Sequence, residues 1–157
     1  MGFSKSQQLK EYIRPLLSAM RDFSEQSVRI QIEKILIPEC QIKMCFPFGE
    51  IKGIESYFDT IYKPLLKAFP NLERRDLIVL AGETPEESDW VACMGNYFGT
   101  FISPFLEILP TGHLTHMRFH EFYRFENEKV IEIQIIWDLP ELMMQSNSWP
   151  MAPQLGR

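Results

Sequence analysis

From Gln8 to about Met20 the apolar residues Leu9, Tyr12, Ile13, Leu16, Leu17 and Met20 recur at three- and four-residue spacing, which places them on one face of a helix. A second helix is predicted from Ser27 to Ile37, with Val28, Ile32, Ile35 and Leu36 inward and Pro38 as its stop. Gln41 to Phe46 alternates as a strand, and the run FPFGEIKG turns the chain. After Gly53, the residues Ile54, Tyr57, Phe58, Ile61, Leu65 and Phe69 give a third helix, with a kink expected at Pro64 and an end at Pro70 and Asn71. Strands follow over Glu73 to Ala81, Asp89 to Phe101, Leu114 to Phe125 and Lys129 to Asp138, with an acidic one-turn loop, GETPEESD, between the first two. Helices first and an antiparallel sheet afterwards make an α+β domain whose helices cover one sheet face. The chain is read as a single domain over residues 1–157, with a core over about residues 8–145 and a C-terminal tail over 146–157. The apolar content of residues 139–157, with Met143, Met144 and Trp149, predicts that this end of the chain docks on the body or on a second subunit.

The last two strands form a hairpin. With Asn127 and Glu128 at its tip, Phe125 pairs with Val130, Tyr123 with Glu132, Glu121 with Gln134, Phe119 with Ile136 and Met117 with Asp138. One face then holds carboxylates and an amide among apolar side chains, as a small-molecule pocket requires. A pocket lined by Phe119, Glu121, Gln134, Ile136 and Asp138 is therefore expected. Glu121 is its acid-base candidate, because an apolar wall favours the neutral form of a carboxyl. Asp138 stands about three residue pairs away, roughly 10 Å at the rise of a strand. A satisfied cross-strand hydrogen bond between Glu121 and Gln134 is the alternative reading of the same pair. The opposite face would carry Ile131, Ile133, Ile135 and Trp137, an apolar row suited to a homodimer contact.

The composition narrows the partners. A formal charge of −5 and the mutual cancelling of Glu73, Arg74, Arg75 and Asp76 argue against a nucleic-acid surface. Three cysteines, Cys40, Cys45 and Cys93, match no metal or redox spacing and read as free thiols of a reducing compartment. No signal peptide and no run of about 20 apolar residues is visible, so no membrane partner and a cytoplasmic location are expected. His116 and His120 share a strand face without a third ligand, which leaves metal binding a weak reading. No Ser-His-Asp order, Gly-rich phosphate loop or Cys-His pair supports nucleophilic catalysis.

Several short stretches, in order and spacing, give the chain a resemblance: FPFGEIKGIESYF, LLKAFPNL, GNYFGTF, PTG at Pro110 to Gly112, EFYRFENEKVIE and IIWDLPELMMQ. From about Gln26 to Gln145 it resembles the SnoaL-like polyketide cyclases, within the nuclear transport factor 2-like fold. The resemblance implies a cone-shaped α+β barrel in which a curved sheet and three helices enclose one deep pocket. It implies that the acidic residue two positions before the Tyr-Arg pair, here Glu121, is the general acid and base of an intramolecular aldol closure. It further implies pocket roles for Asp138, Glu132 and Tyr97. This chain departs from the family pattern in having glutamate for the usual aspartate at 121, Tyr97 where histidine is common, Gln134 where an aromatic is usual, and a longer link, TFISPFLEIL.

The expected catalytic residues are thus Glu121 and Asp138. Those expected to contact substrate are Tyr97, Met117, Phe119, Tyr123, Glu132, Gln134 and Ile136. The substrate is read as a hydrophobic, carbonyl-bearing small molecule, and no cofactor or metal is called for, because a carbon between two carbonyls is already acidic. A hydrolase or isomerase on the same pocket and a non-catalytic ligand-binding or dimerisation module remain open.

Overall fold

A computed structural model describes residues 2–148. The docking of the tail falls for residues 149–157 outside the described residues.

Helix α1 (Lys5–Arg21) starts on a capping box in which the Ser4 hydroxyl and the Gln7 side chain satisfy each other's backbone N–H. Its buried face is Leu9, Ile13, Leu16 and Met20. Helix α2 (Glu25–Ile35) is capped by Ser24 and buries Val28, Ile32 and Ile35. The chain then passes directly into strand β1 (Leu36–Met44), so Pro38 lies within a strand, not at a helix end. The pairing of β1 is irregular between Leu36 and Gln41, around that proline.

The turn after β1 returns as a short strand, β2 (Glu50–Lys52), and leads into α3 (Ile54–Tyr57). The irregularity expected at Pro64 is spread over the preceding turn. Phe58–Tyr62 is π-helical, with the Lys63 N–H reaching back five residues to the Phe58 carbonyl, and α4 (Lys63–Ala68) resumes with Pro64 in its first turn. A proline in a first turn removes no needed hydrogen bond. The wider turn aims Tyr57 and Tyr62 inward, their hydroxyls 2.7 Å apart.

Strands β3 (Glu73–Glu83), β4 (Asp89–Thr100), β5 (Leu114–Glu126) and β6 (Lys129–Trp137) complete a six-stranded sheet of order β2-β1-β6-β5-β4-β3. The sheet is not wholly antiparallel as expected, since β1 runs parallel to β6. Helix α5 (Leu139–Gln145) follows, capped by Asp138, whose Oδ1 accepts from the Glu141 N–H. The core lies between the inner sheet face and the apolar faces of the helices. No helix among the described residues is long and apolar enough to cross a membrane.

Edge strand β3 bends where its pairing with β4 shifts between Asp76 and Ile78, a bulge that brings its backbone against Gly95. A side chain at Gly95 would place its Cβ 1.9 Å from the Arg75 carbonyl oxygen, so only glycine fits.

Candidate active site

The hairpin between β5 and β6 turns on Asn127 and Glu128, both at positive φ, as a two-residue type I′ turn requires. The strain at Glu128 is offset by its carboxylate accepting a 2.9 Å hydrogen bond from the Tyr12 hydroxyl. The expected pair Phe125–Val130 forms, but one step further Arg124 lies opposite Glu132, so Ile131 is an extra residue in β6. This bulge turns the rest of β6 over relative to the expected register. Glu121 faces Ile135 and not Gln134, Phe119 faces Trp137, and Tyr123 faces Ile133.

The expected site therefore divides. Tyr97, Met117, Phe119, Glu121 and Tyr123 share the inner face and are buried. Glu132, Gln134 and Ile136 lie on the outer face, and Ile136 is 64% exposed, so they do not join that group. Asp138 is drawn away by two partners, the Glu141 N–H that it caps and the Arg118 guanidinium at 2.9 Å. Nor is the row Ile131, Ile133, Ile135 and Trp137 an exposed face: its last three members are core residues, and the bulge is again the reason.

Glu121, on β5, has no solvent exposure and accepts from four donors carried by four strands. Tyr97 of β4 and Trp137 of β6 each donate to Oε1 at 3.0 Å, Tyr123 of β5 donates to Oε2 at 2.8 Å, and Arg74 of β3 forms an ion pair with Oε2. Arg74 also holds Asp76 through Nε at 3.2 Å and Nη2 at 2.9 Å, and its guanidinium lies 4.0 Å above the Phe119 ring. Sequence reasoning missed Arg74, counting it only as one of four adjacent charges, Glu73 to Asp76, that cancel one another. The signal was available in the alternation of β3: Leu72 and Arg74 fall on its inward side, and a buried carboxylate calls for a cation.

Burial, with the Glu121 charge added to it, pushes the Tyr97 and Tyr123 phenols well above their ordinary range, which keeps both as O–H donors. Burial opposes the charge on Arg74, but Glu121 and its neighbours outweigh it and hold the guanidinium protonated. Around this centre the interior is filled with rings. Tyr97 packs on Phe119 and Trp137, while Phe48 and Phe105 pack on Trp137. Phe105 comes from the long link between β4 and β5, where Leu106 and Glu107 at positive φ make a tight turn that tucks it inside. The extra length thus adds core, and a pocket walled by Phe119, Glu121, Gln134, Ile136 and Asp138 does not form, since those residues divide between two faces.

Elsewhere, His116 Nε2 lies 3.1 Å from Glu141 Oε1, and no group of three His, Cys, Asp or Glu among the described residues is arranged for a metal ion. Cys40 and Cys93 are buried free thiols pushed up to about 12 by that burial.

The comparisons with known proteins agree with this architecture. The sequence profile of the SnoaL-like polyketide cyclases matches residues 14–146. Among solved structures, the SnoaL-like protein of Jannaschia sp. CCS1 is 22% identical, with 96% of this chain and 99% of that one covered at a TM-score of 0.75. AclR of Streptomyces galilaeus is 20% identical over 96% and 87% of the two chains, TM-score 0.74. A SnoaL-like polyketide cyclase of Agrobacterium tumefaciens C58 is 18% identical over 87% and 96%, TM-score 0.63. At such identities the likeness concerns the fold. Among curated proteins none matches the sequence significantly.

Proposed function

Because the chain belongs to the SnoaL-like polyketide cyclase family, for which a small-molecule role of the cyclase or isomerase type is supported, we propose that it closes a ring in a hydrophobic β-dicarbonyl compound with Glu121 as the acid and base. One observation carries this reading: a carboxylate with no solvent exposure, ringed by Arg74, Tyr97, Tyr123 and Trp137, on the residue that the resemblance implies as acid and base. In the reaction, Glu121 removes the proton from a carbon between two carbonyls. The enolate carbon attacks a third carbonyl of the same molecule, a carbon–carbon bond forms, and the alkoxide takes the proton back from Glu121. The phenols of Tyr97 and Tyr123 and the Trp137 N–H, freed from Glu121, donate to the developing oxyanion. Substrate needs room, and Phe48, only partly buried and packed on Trp137 and Phe105, is the ring that moves aside.

The second reading is a non-catalytic binding module. It is favoured by the same network, since both oxygens of Glu121 are engaged and Arg74 compensates its charge. Glu121→Gln separates the two. Acid-base catalysis predicts that turnover of a linear β-dicarbonyl compound carrying a third, ketone carbonyl falls roughly 10²- to 10⁴-fold per folded molecule. A purely structural role predicts a lower melting temperature with turnover that follows the folded fraction.

Homodimerisation through the outer sheet face belongs to the same proposal. Two transverse rows lie there, Ile78–Met94–His120–Ile136 and Leu80–Ala92–Phe122–Gln134. Ile78, Leu80, Phe122 and Ile136 are each exposed by 41% or more, an apolar area that a second copy would cover.

A further inference from the structure

Along α1, residues Lys10, Arg14, Leu17, Ser18 and Arg21 follow at helical spacing and face Arg75, Asp76 and Val79 of edge strand β3 across a cleft of about 580 Å³. Arg74 closes its inner end. Five cations and one carboxylate line this space in a chain whose formal charge is −5. The one carboxylate, Asp76, is occupied by Arg74. Arg14 and Arg75 pair at 2.7 Å with Glu11 and Glu73, carboxylates that are 40% and 48% exposed, and such surface pairs are weak and exchangeable. Lys10 and Arg21 form no ion pair among the described residues. Like charges one turn apart on a helix repel by a few tenths of a kcal/mol per pair. A cleft that gathers them gains from an anion placed between them.

We propose that the cleft between α1 and β3 is a binding site for a small organic anion, with a carboxylate held by Lys10 and Arg14, one helical turn apart, an apolar body against Leu17 and Val79, and the positive charge of Arg21 about 10 Å further along the helix adding to the attraction. Its volume suits a small molecule and is far short of a nucleic-acid groove. Arg75 fixes the wall, its Nη1 donating at 2.8 Å to the Arg21 carbonyl and at 3.1 Å to its neighbour Arg74, so strand and helix end are tied together. That contact also takes up a carbonyl at the C-terminus of α1 that would otherwise repel an anion. The site meets the Glu121 network at Arg74, but its proposed ligand contacts lie on α1, so the proposal does not depend on the chemistry of Glu121.

Octanoate and 1-octanol, the same chain with and without the charge, test it by amide chemical-shift titration of the whole protein. Octanoate should shift the amides of residues 10–21 and 74–79, and 1-octanol should not. The double reversal Lys10→Glu with Arg21→Glu, at one half-buried and one exposed position, should weaken octanoate at least about 10-fold, and the neutral pair Lys10→Gln with Arg21→Gln about 3-fold or more. Lys52→Glu with Lys67→Glu, which changes net charge equally at distant sites, should leave the affinity within twofold. Shifts that map elsewhere, equal shifts with 1-octanol, or an equal loss in the distant variant would each overturn the site.

Discussion

Arg74 and Glu121 are the two residues on which the interior turns. Each is buried, and each is the other's charge partner. Removing one member of such a pair leaves an uncompensated charge in the core, so Arg74→Met should cost about 3–5 kcal/mol of stability in denaturant unfolding. Arg74→Met combined with Glu121→Leu removes both charges and should recover much of that loss, although Tyr97, Tyr123 and Trp137 would then lack their acceptor. Non-additivity of that size shows coupling, whereas simple addition of the two single effects would deny it. The inward position of Glu121 was legible in the alternation of β5. Its principal partner was not, because four adjacent charges, Glu73 to Asp76, read only as mutually cancelling when the tertiary placement of β3 is unknown.

At the scale of elements, the first three helices and the four long strands followed their periodicities, whereas β1 begins at Leu36 where the second helix was expected to continue, β2 lies in the run read as a turn, α5 was not foreseen, and the π-helical turn before Pro64 was legible only as an irregularity. The decisive miss was one residue, Ile131. In β6 the apolar row is Ile131, Ile133, Ile135 and Trp137, while Glu132 and Gln134 stand on the alternate row, so the pattern itself favoured the observed burial; counting pairs from the hairpin tip overrode it, and such a count cannot register a bulge. The bulge explains why Glu132 sits on the outer face, where it accepts from Gln134 at 2.8 Å and pairs with Lys43 at 3.1 Å. Burial alone would raise this carboxyl, but Gln134 and Lys43 outweigh it and hold it below its ordinary 4.5. A group depressed on folding contributes stability that is fully present above its unfolded value and is lost as the pH falls through the lower folded one. Glu132→Gln should therefore lower the melting temperature at pH 6–7, with the gap to the parent narrowing below about pH 4.5. A gap that widens with acid would contradict this assignment of the partners.

For the whole molecule, the α+β order and the coverage of one sheet face were readable from the sequence, because they depend on element order and not on register. The surface proposed to pair was misplaced by the same bulge. With Ile133, Ile135 and Trp137 inside, the outer rows built on Ile78, Leu80, Phe122 and Ile136 take their place. Light scattering should report a dimer at micromolar concentration, and Leu80→Glu with Ile136→Lys should shift it to monomer while keeping the circular dichroism spectrum. A monomeric parent protein would remove the interface.

The most direct test of the proposed chemistry isolates its first step. Ethyl 2-methylacetoacetate has a single acidic hydrogen between two carbonyls, and its replacement by deuterium is followed by NMR without a need for the natural substrate. The parent protein should accelerate this exchange above the buffer rate, and Glu121→Gln, compared at equal folded concentration, should fall back by roughly 10²-fold or to the buffer rate itself. Exchange that is equally fast in parent and Glu121→Gln per folded molecule, or absent from both, would contradict Glu121 as the base.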